Sequence, residues 1–359
     1  MDENSYQMIR SIKSRIIAML EERQRLENKE VSFASPSRYW SDFCSFFDYM
    51  LGLPEESFSK LRLHTYHLTT DNYQIYYFGV DAEPFKAYWK ELIKDIPPSY
   101  IIYEPDGGIG FSLDNGKIVS HDILRFQYII KTFYRYGIIF SILSMEQERK
   151  FILEIGAGYG GLAHHLSNIL ENVTYIIVDL PETLLFSASY LSLHNPNKRV
   201  YVYENSNFAE LVQADHFRSY DFVLIPNYKL DELRRVGFDL VINIASLQEM
   251  TADQVNTYLD FIEQTCRGVF YSSNQDVQPR NGELANLSDM IRARFDITEV
   301  SVGRLPGSLV RRDGTGHKFR RVLKSAAISL GLWNRPAESF PYPPFREWIC
   351  KPLRNKNIE

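Results

Sequence analysis

Phe151-Ile-Leu-Glu-Ile-Gly-Ala-Gly-Tyr-Gly-Gly161 and, shortly after it, Thr174-Tyr-Ile-Ile-Val-Asp179 contain the decisive pattern of this sequence. Each opens with a short run of β-branched and apolar residues, the composition of a strand buried on both faces. The first run ends in a glycine loop, and Gly161 to Leu170 beyond it suits a helix. Two more such runs follow, Asp221-Phe-Val-Leu-Ile225 and Phe238-Asp-Leu-Val-Ile-Asn-Ile244, with helical intervals at Pro181 to Leu193 and Leu230 to Val236. Val200 to Tyr203 reads as an extra strand. The alternation predicts an α/β fold, a doubly wound Rossmann-like sheet with ligands at the carboxyl ends of its strands.

The glycines fit two patterns at once. Gly156, Gly158 and Gly161 satisfy the GxGxxG of dinucleotide-binding folds; Glu154, Gly156, Gly158 and Gly160 satisfy the ExGxGxG of methyltransferases. Both use residues without a Cβ so that backbone amides at a helix start can approach a nucleotide-like ligand. Glu154 separates them, because a carboxylate there repels a pyrophosphate and attracts an ammonium, which S-adenosylmethionine carries. Asp179, 23 residues after Gly156, suits ribose hydroxyls with either cofactor. S-adenosylmethionine is therefore the expected cofactor. An NAD-dependent oxidoreductase or epimerase is the first alternative. A non-catalytic methyltransferase-like scaffold in a glycan-assembly complex is the second.

Ile152 to Gly161, Val178-Asp-Leu-Pro-Glu182 and Asn243-Ile-Ala-Ser-Leu-Gln-Glu-Met250 together resemble the sugar O-methyltransferases associated with bacterial surface-polysaccharide and natural-product clusters. The resemblance spans about Ile101 to Ser273. It implies a class I methyltransferase fold, S-adenosylmethionine and a sugar hydroxyl as acceptor. The candidate cofactor residues are Glu154, Gly156, Ala157, Gly158, Tyr159, Gly160, Asp179, Leu180 and Asn243, with Asn205 or Asn227 beside adenine.

Methyl transfer from a sulfonium is an in-line displacement, so alignment and removal of the acceptor proton are the protein's main tasks. Gln248 and Glu249 follow the fourth strand run, where both the sulfonium and the acceptor are within reach. Gln248 is the candidate to orient hydroxyls and Glu249 the candidate base; the competing role for Glu249 is to cap the helix beginning near Thr251. His121 is the second base candidate. His164 and His165 lie on the helix after the glycine loop, one expected to face the sheet and one solvent. The loop Asp106-Gly-Gly-Ile-Gly110 is either a plain turn or a cover for the acceptor. No compact Asp/Glu/His spacing indicates a divalent metal, although a metal-assisted reaction stays open.

Residues 1–143 read as a mostly helical region for the acceptor or for oligomerisation, with one apolar stripe along Met8, Ile9, Ile12, Ile16, Ile17 and Leu20, and a hairpin turning at Asn115-Gly116. Residues 144–300 form the expected methyltransferase domain and 301–359 a basic extension. From Arg304 onward twelve Lys/Arg stand against four Asp/Glu in a chain of net charge -5. Such a tail is expected to be solvated, with peripheral contact to anionic lipid as the alternative. Cys44, Cys266 and Cys350 form no metal or disulfide pattern. The amino terminus lacks the apolar core of a signal peptide, so a cytoplasmic protein without a transmembrane segment is expected. No basic and aromatic stripe suggests nucleic acid.

Overall fold

The structure is a computed structural model and describes residues 1–29, 33–69, 74–77, 80–143, 149–213, 216–276, 281–283, 286–300, 311–312 and 345–353. The main sheet runs through β1 (Lys150–Ile155), β2 (Val173–Asp179), β3 (Val200–Val202), β4 (Phe222–Pro226), β5 (Phe238–Ile244), β6 (Cys266–Asn274), β7 (Phe295–Glu299) and β8 (Arg346–Pro352). Among the described residues these eight lie in the order β7-β8-β6-β5-β1-β2-β4-β3. Every pair from β6 to β3 is parallel, while β8 runs antiparallel to both β6 and β7. From β1 the chain builds one half-sheet and then returns to build the other on β1's opposite edge. The order therefore reverses beside β1 and opens a crevice at the carboxyl ends of β1, β2 and β5. The doubly wound, Rossmann-like sheet expected from the sequence is present, including the extra strand at Val200.

Three strands were not foreseen. In β6, Gly268 and the polar Ser272-Ser-Asn274 dilute the apolar run, and β7 is short and mostly exposed on alternate residues. β8 lies inside the segment expected to be a basic extension, yet Trp348, Ile349 and Cys350 are buried and pair with Ser272, Tyr271 and Phe270. The sheet thus continues past the boundary placed at residue 300. Most of the basic tail lies outside the described residues; Arg346 and Lys351 belong to β8, and the backbone of Arg311–Arg312 pairs with Val80–Asp81.

The helical layer comprises α1 (Glu3–Glu27), α2 (Arg38–Gly52), α3 (Glu83–Ile93) and α4 (His121–Arg135); α5 (Gly161–Ile169), α6 (Pro181–His194) and α7 (Ala252–Thr265) belong to the sheet domain. Asp2 caps α1 by accepting from the Ser5 N–H at 2.9 Å. Ile9, Ile12, Ile16 and Met19 of α1 are buried, whereas Ile17 is exposed, so the stripe is rotated slightly from the expected one. This face packs on α6 and on the 3-10 segment Glu55–His64 of the same chain. The hairpin pairs Phe111–Ser112 with Ile118–Val119, and Gly116 adopts φ 76° in its turn. No helix among the described residues is long and apolar enough to cross a membrane.

One ion pair locks α1 to α6. Arg23 donates to both carboxylate oxygens of Glu182, at 2.8 and 2.6 Å, with the two side chains 13% and 5% exposed. Removing one member leaves a buried charge without its partner, so Arg23→Ala is expected to cost about 3 kcal/mol in urea-induced unfolding. Replacing the pair by Arg23→Met with Glu182→Leu is expected to recover most of it.

Candidate functional site

After β1 the chain turns through Gly156, Gly158 and Gly160, with φ of 75°, 58° and 81°. A side chain at Gly156 would be strained, and its Cβ would stand 2.2 Å from Ser246 Oγ on the loop after β5. Ala245 in that same loop holds φ 55° without being glycine, the kind of backbone strain that gathers at functional sites. The two loops together leave backbone and carboxyl groups facing a cavity of about 930 Å³ at the strands' carboxyl ends. Glu154, Gly156, Ala157, Gly158, Tyr159, Asp179 and Leu180 all line it.

Asp179 is preset by its neighbours. One oxygen accepts from the Gly158 N–H at 3.1 Å and the other from the Leu180 N–H at 2.8 Å. The Thr183 side chain also hydrogen-bonds the carboxyl; a carboxylate has about four acceptor positions, so capacity for a ligand remains. Burial pushes its pKa up to about 6 against these bonds. Glu154 accepts from the Tyr175 hydroxyl at 2.7 Å, and burial raises it to about 7. Across the cavity, Asn227 donates through Nδ2 to the Phe33 carbonyl at 2.8 Å, while its Oδ1 is buried without a hydrogen-bond partner. These donors and acceptors fit S-adenosylmethionine. Glu154 suits its ammonium, Asp179 its ribose hydroxyls, and the orphaned Asn227 oxygen an exocyclic amine. Asn205 instead accepts from Tyr203 and is not among the lining residues.

Glu249 faces the same cavity from the 3-10 turn Leu247–Glu249. Trp40 Nε1–H donates to its Oε2 at 3.0 Å, Tyr39 also hydrogen-bonds the carboxyl, and Ser37 donates to its backbone carbonyl at 2.6 Å. Burial pushes its pKa up to about 8, opposed by these bonds and by Arg125. The helix cap that competed for Glu249 is made by Thr251 and Gln254 in a capping box. Gln248 also lines the cavity, its Oε1 accepting from the Gln275 N–H at 2.7 Å.

Other expected site residues lie elsewhere. Asn243 is fully buried beneath the floor of the cavity, donating to the Ile155 carbonyl at 2.9 Å and accepting from Leu247 and Asn274, so it ties the two loops together. Gly160 points toward α6 rather than into the cavity. His121 does not line it either: its Nδ1 pairs with the Tyr76 hydroxyl at 2.9 Å and its ring packs on Phe85. The loop at residues 106–110 packs against Ser59, Glu104 and Val119 and does not line the cavity. His164 and His165 are both buried, because α5 lies between the sheet and its neighbouring helices; burial holds His164 down to about 4. His121→Ala is expected to change turnover less than about twofold while costing about 1 kcal/mol of stability, measured by initial rates and thermal melting.

Several lining residues have no motif in the sequence. Arg125 of α4 enters the cavity with its Nε buried and without an acceptor, its other end 3.7 Å from Asp122. Tyr39, Trp40, Phe126, Tyr128 and Glu347 come from α2, α4 and β8, far apart in the chain. Glu347 accepts from the Tyr271 hydroxyl at 3.4 Å, and burial raises its pKa. The helical layer is anchored to the glycine loop by Arg62, which pairs with Glu104 at 3.0 Å and Asp122 at 2.9 Å while lying 4.3 Å from the Tyr159 ring centre. Among the described residues no group of three or more His, Cys, Asp or Glu side chains is placed to hold a metal ion.

No protein-family model and no curated protein sequence matches the chain. Solved structures that overlap it include the small RNA methyltransferase HEN1, at 13% identity, covering 62% of this chain and 25% of that one with a TM-score of 0.35. The CurJ carbon methyltransferase overlaps at 14% identity, covering 62% and 54% with a TM-score of 0.30. An O-methyltransferase family protein from Burkholderia thailandensis does so at 10%, covering 64% and 60% with a TM-score of 0.34. The chain spans a quarter to three-fifths of the length of these three proteins, whose names point to different acceptors. Overlaps of this depth carry no conclusion about activity.

Proposed function

We propose that the chain is an S-adenosylmethionine-dependent O-methyltransferase acting on a hydroxyl of a sugar or glycoconjugate precursor. The observation that carries this is the convergence of Glu154, Asp179 and Glu249 on one cavity at the carboxyl ends of β1, β2 and β5. A dinucleotide would bring a pyrophosphate beside two carboxyl groups, whereas a cationic cofactor is attracted by them. Glu154 and Arg125, of opposite sign, match the ammonium and carboxylate of an amino acid. When bound, S-adenosylmethionine supplies an electrophilic methyl group in this crevice. The chain's own part is to hold the acceptor, exclude water and take a proton.

Glu249 in its carboxylate form would take the proton of the acceptor hydroxyl. Trp40 fixes the orientation of that carboxyl. The walls support a sugar: Tyr39, Trp40, Phe126 and Tyr128 offer faces for its C–H surface, and Gln248, Gln275 and Glu347 offer hydrogen-bonding ends for its hydroxyls. Incubation with methyl-labelled S-adenosylmethionine and a panel of free, nucleotide-linked and lipid-linked sugars tests the proposal. A methyl ether on a sugar hydroxyl is expected. Label on an amine, a carbon or RNA, and on no sugar, would overturn the acceptor assignment.

A further inference from the structure

Resting on that sugar acceptor, we infer that the site takes a glycan of two or more units, whose second unit lies on an aromatic ridge leading out of the cavity along α2. The ridge begins inside, where Tyr39 and Trp40 line the cavity. Residues one turn apart on a helix share a face, and Phe43 continues the line, its ring 5.2 Å from Tyr39 and 5.6 Å from Trp40. His67, at the rim, lies 6.1 Å from Phe43 and is stacked on Phe46 at 5.8 Å with 12° between the planes. Tyr66 meets His67 at 5.2 Å, and Tyr49, one turn beyond Phe46, bonds His64 at 3.0 Å.

The outer rings face solvent. Phe46 is 57% exposed, Tyr66 48% and Tyr49 46%. A contiguous exposed aromatic surface marks a binding surface rather than a random apolar residue. Its continuity with the cavity makes the occupant an extension of whatever the cavity holds. The exposed charges around it, Asp42, Asp48 and Glu56 against Arg38 and Lys60, give no cationic surplus for an anionic membrane or a nucleic-acid backbone. A neutral polyhydroxylated chain, with one apolar face per ring, matches both properties.

The test uses full-length protein loaded with S-adenosylhomocysteine on an array of gluco-, galacto-, manno- and rhamno-configured glycans of one to six units. Phe46→Ala and Tyr49→Ala, at exposed positions outside the cavity, are compared with Tyr49→Phe. Wild type is expected to prefer chains of two or more units. Both alanine variants should bind those chains about tenfold more weakly, Tyr49→Phe should bind like wild type, and single sugars and S-adenosylhomocysteine should be unaffected. Equal binding of long chains by wild type and alanine variants overturns the inference, as does indifference to chain length. So does loss, in Phe46→Ala, of binding to phosphatidylglycerol vesicles or of a homodimer seen by light scattering. If S-adenosylhomocysteine binds and no glycan of any length does, the sugar assignment itself falls.

Discussion

Glu249→Gln is expected to lower turnover about 100- to 10,000-fold while leaving the affinity for S-adenosylhomocysteine within about twofold. Glutamine keeps the shape of the side chain and an oxygen for the Trp40 indole, but it cannot take a proton. The pH dependence carries the same information with a defined sign. Burial holds the Glu249 pKa up at about 8, so at neutral pH most of the carboxyl is protonated and unable to act as a base. The rate is therefore expected to rise about tenfold per pH unit toward a plateau above about 8, and the residual activity of Glu249→Gln should lack that limb. Full turnover by the variant would place the base elsewhere. Trp40→Phe, which removes the indole N–H and keeps a ring, should lower kcat with less effect on KM.

Glu154→Gln and Asp179→Asn are each expected to weaken S-adenosylhomocysteine about ten- to a hundredfold, the loss of charge-assisted hydrogen bonds inside a buried site. Both carboxyls are held up by burial, Glu154 to about 7 and Asp179 to about 6, and the ligand is best bound by their ionised forms. Binding should therefore strengthen as pH rises from 6 to 8 and release protons in that range. Titrations in two buffers of different ionisation enthalpy measure the release. Glu154→Gln should reduce it and flatten the pH dependence between about 6 and 7, leaving the rise below about 6 that Asp179 controls. An affinity indifferent to both substitutions would remove these carboxyls from the cofactor site.

The half of the molecule that was legible in the sequence is the half built from local rules. β1, β2, β4 and β5 announce themselves as continuous β-branched runs, and the glycine loop between β1 and α5 needs residues that tolerate positive φ. Glu154, Asp179 and Glu249 were readable as cavity residues because the first two stand at the carboxyl ends of strand runs and the third follows one, and topology alone brings such ends together. What stayed hidden depends on packing between distant segments. Trp40, Arg125 and Glu347 reach the cavity from α2, α4 and β8, and no local spacing marks them. β8 follows a basic, proline-containing stretch that masks a three-residue apolar core, Trp348-Ile-Cys350. His121 shows the converse: its place in the sequence, ahead of β1 and one turn before Arg125, does not make it a lining residue, because its ring pairs with Tyr76 and packs on Phe85 instead.

The central claim is that the crevice beside β1 holds S-adenosylmethionine and not a dinucleotide. Isothermal titration of the full chain with S-adenosylhomocysteine, and separately with NAD, tests it directly. One molecule of S-adenosylhomocysteine per chain is expected to bind, with Asp179→Asn weakening it and NAD giving no heat. Binding of NAD without binding of S-adenosylhomocysteine would contradict the claim.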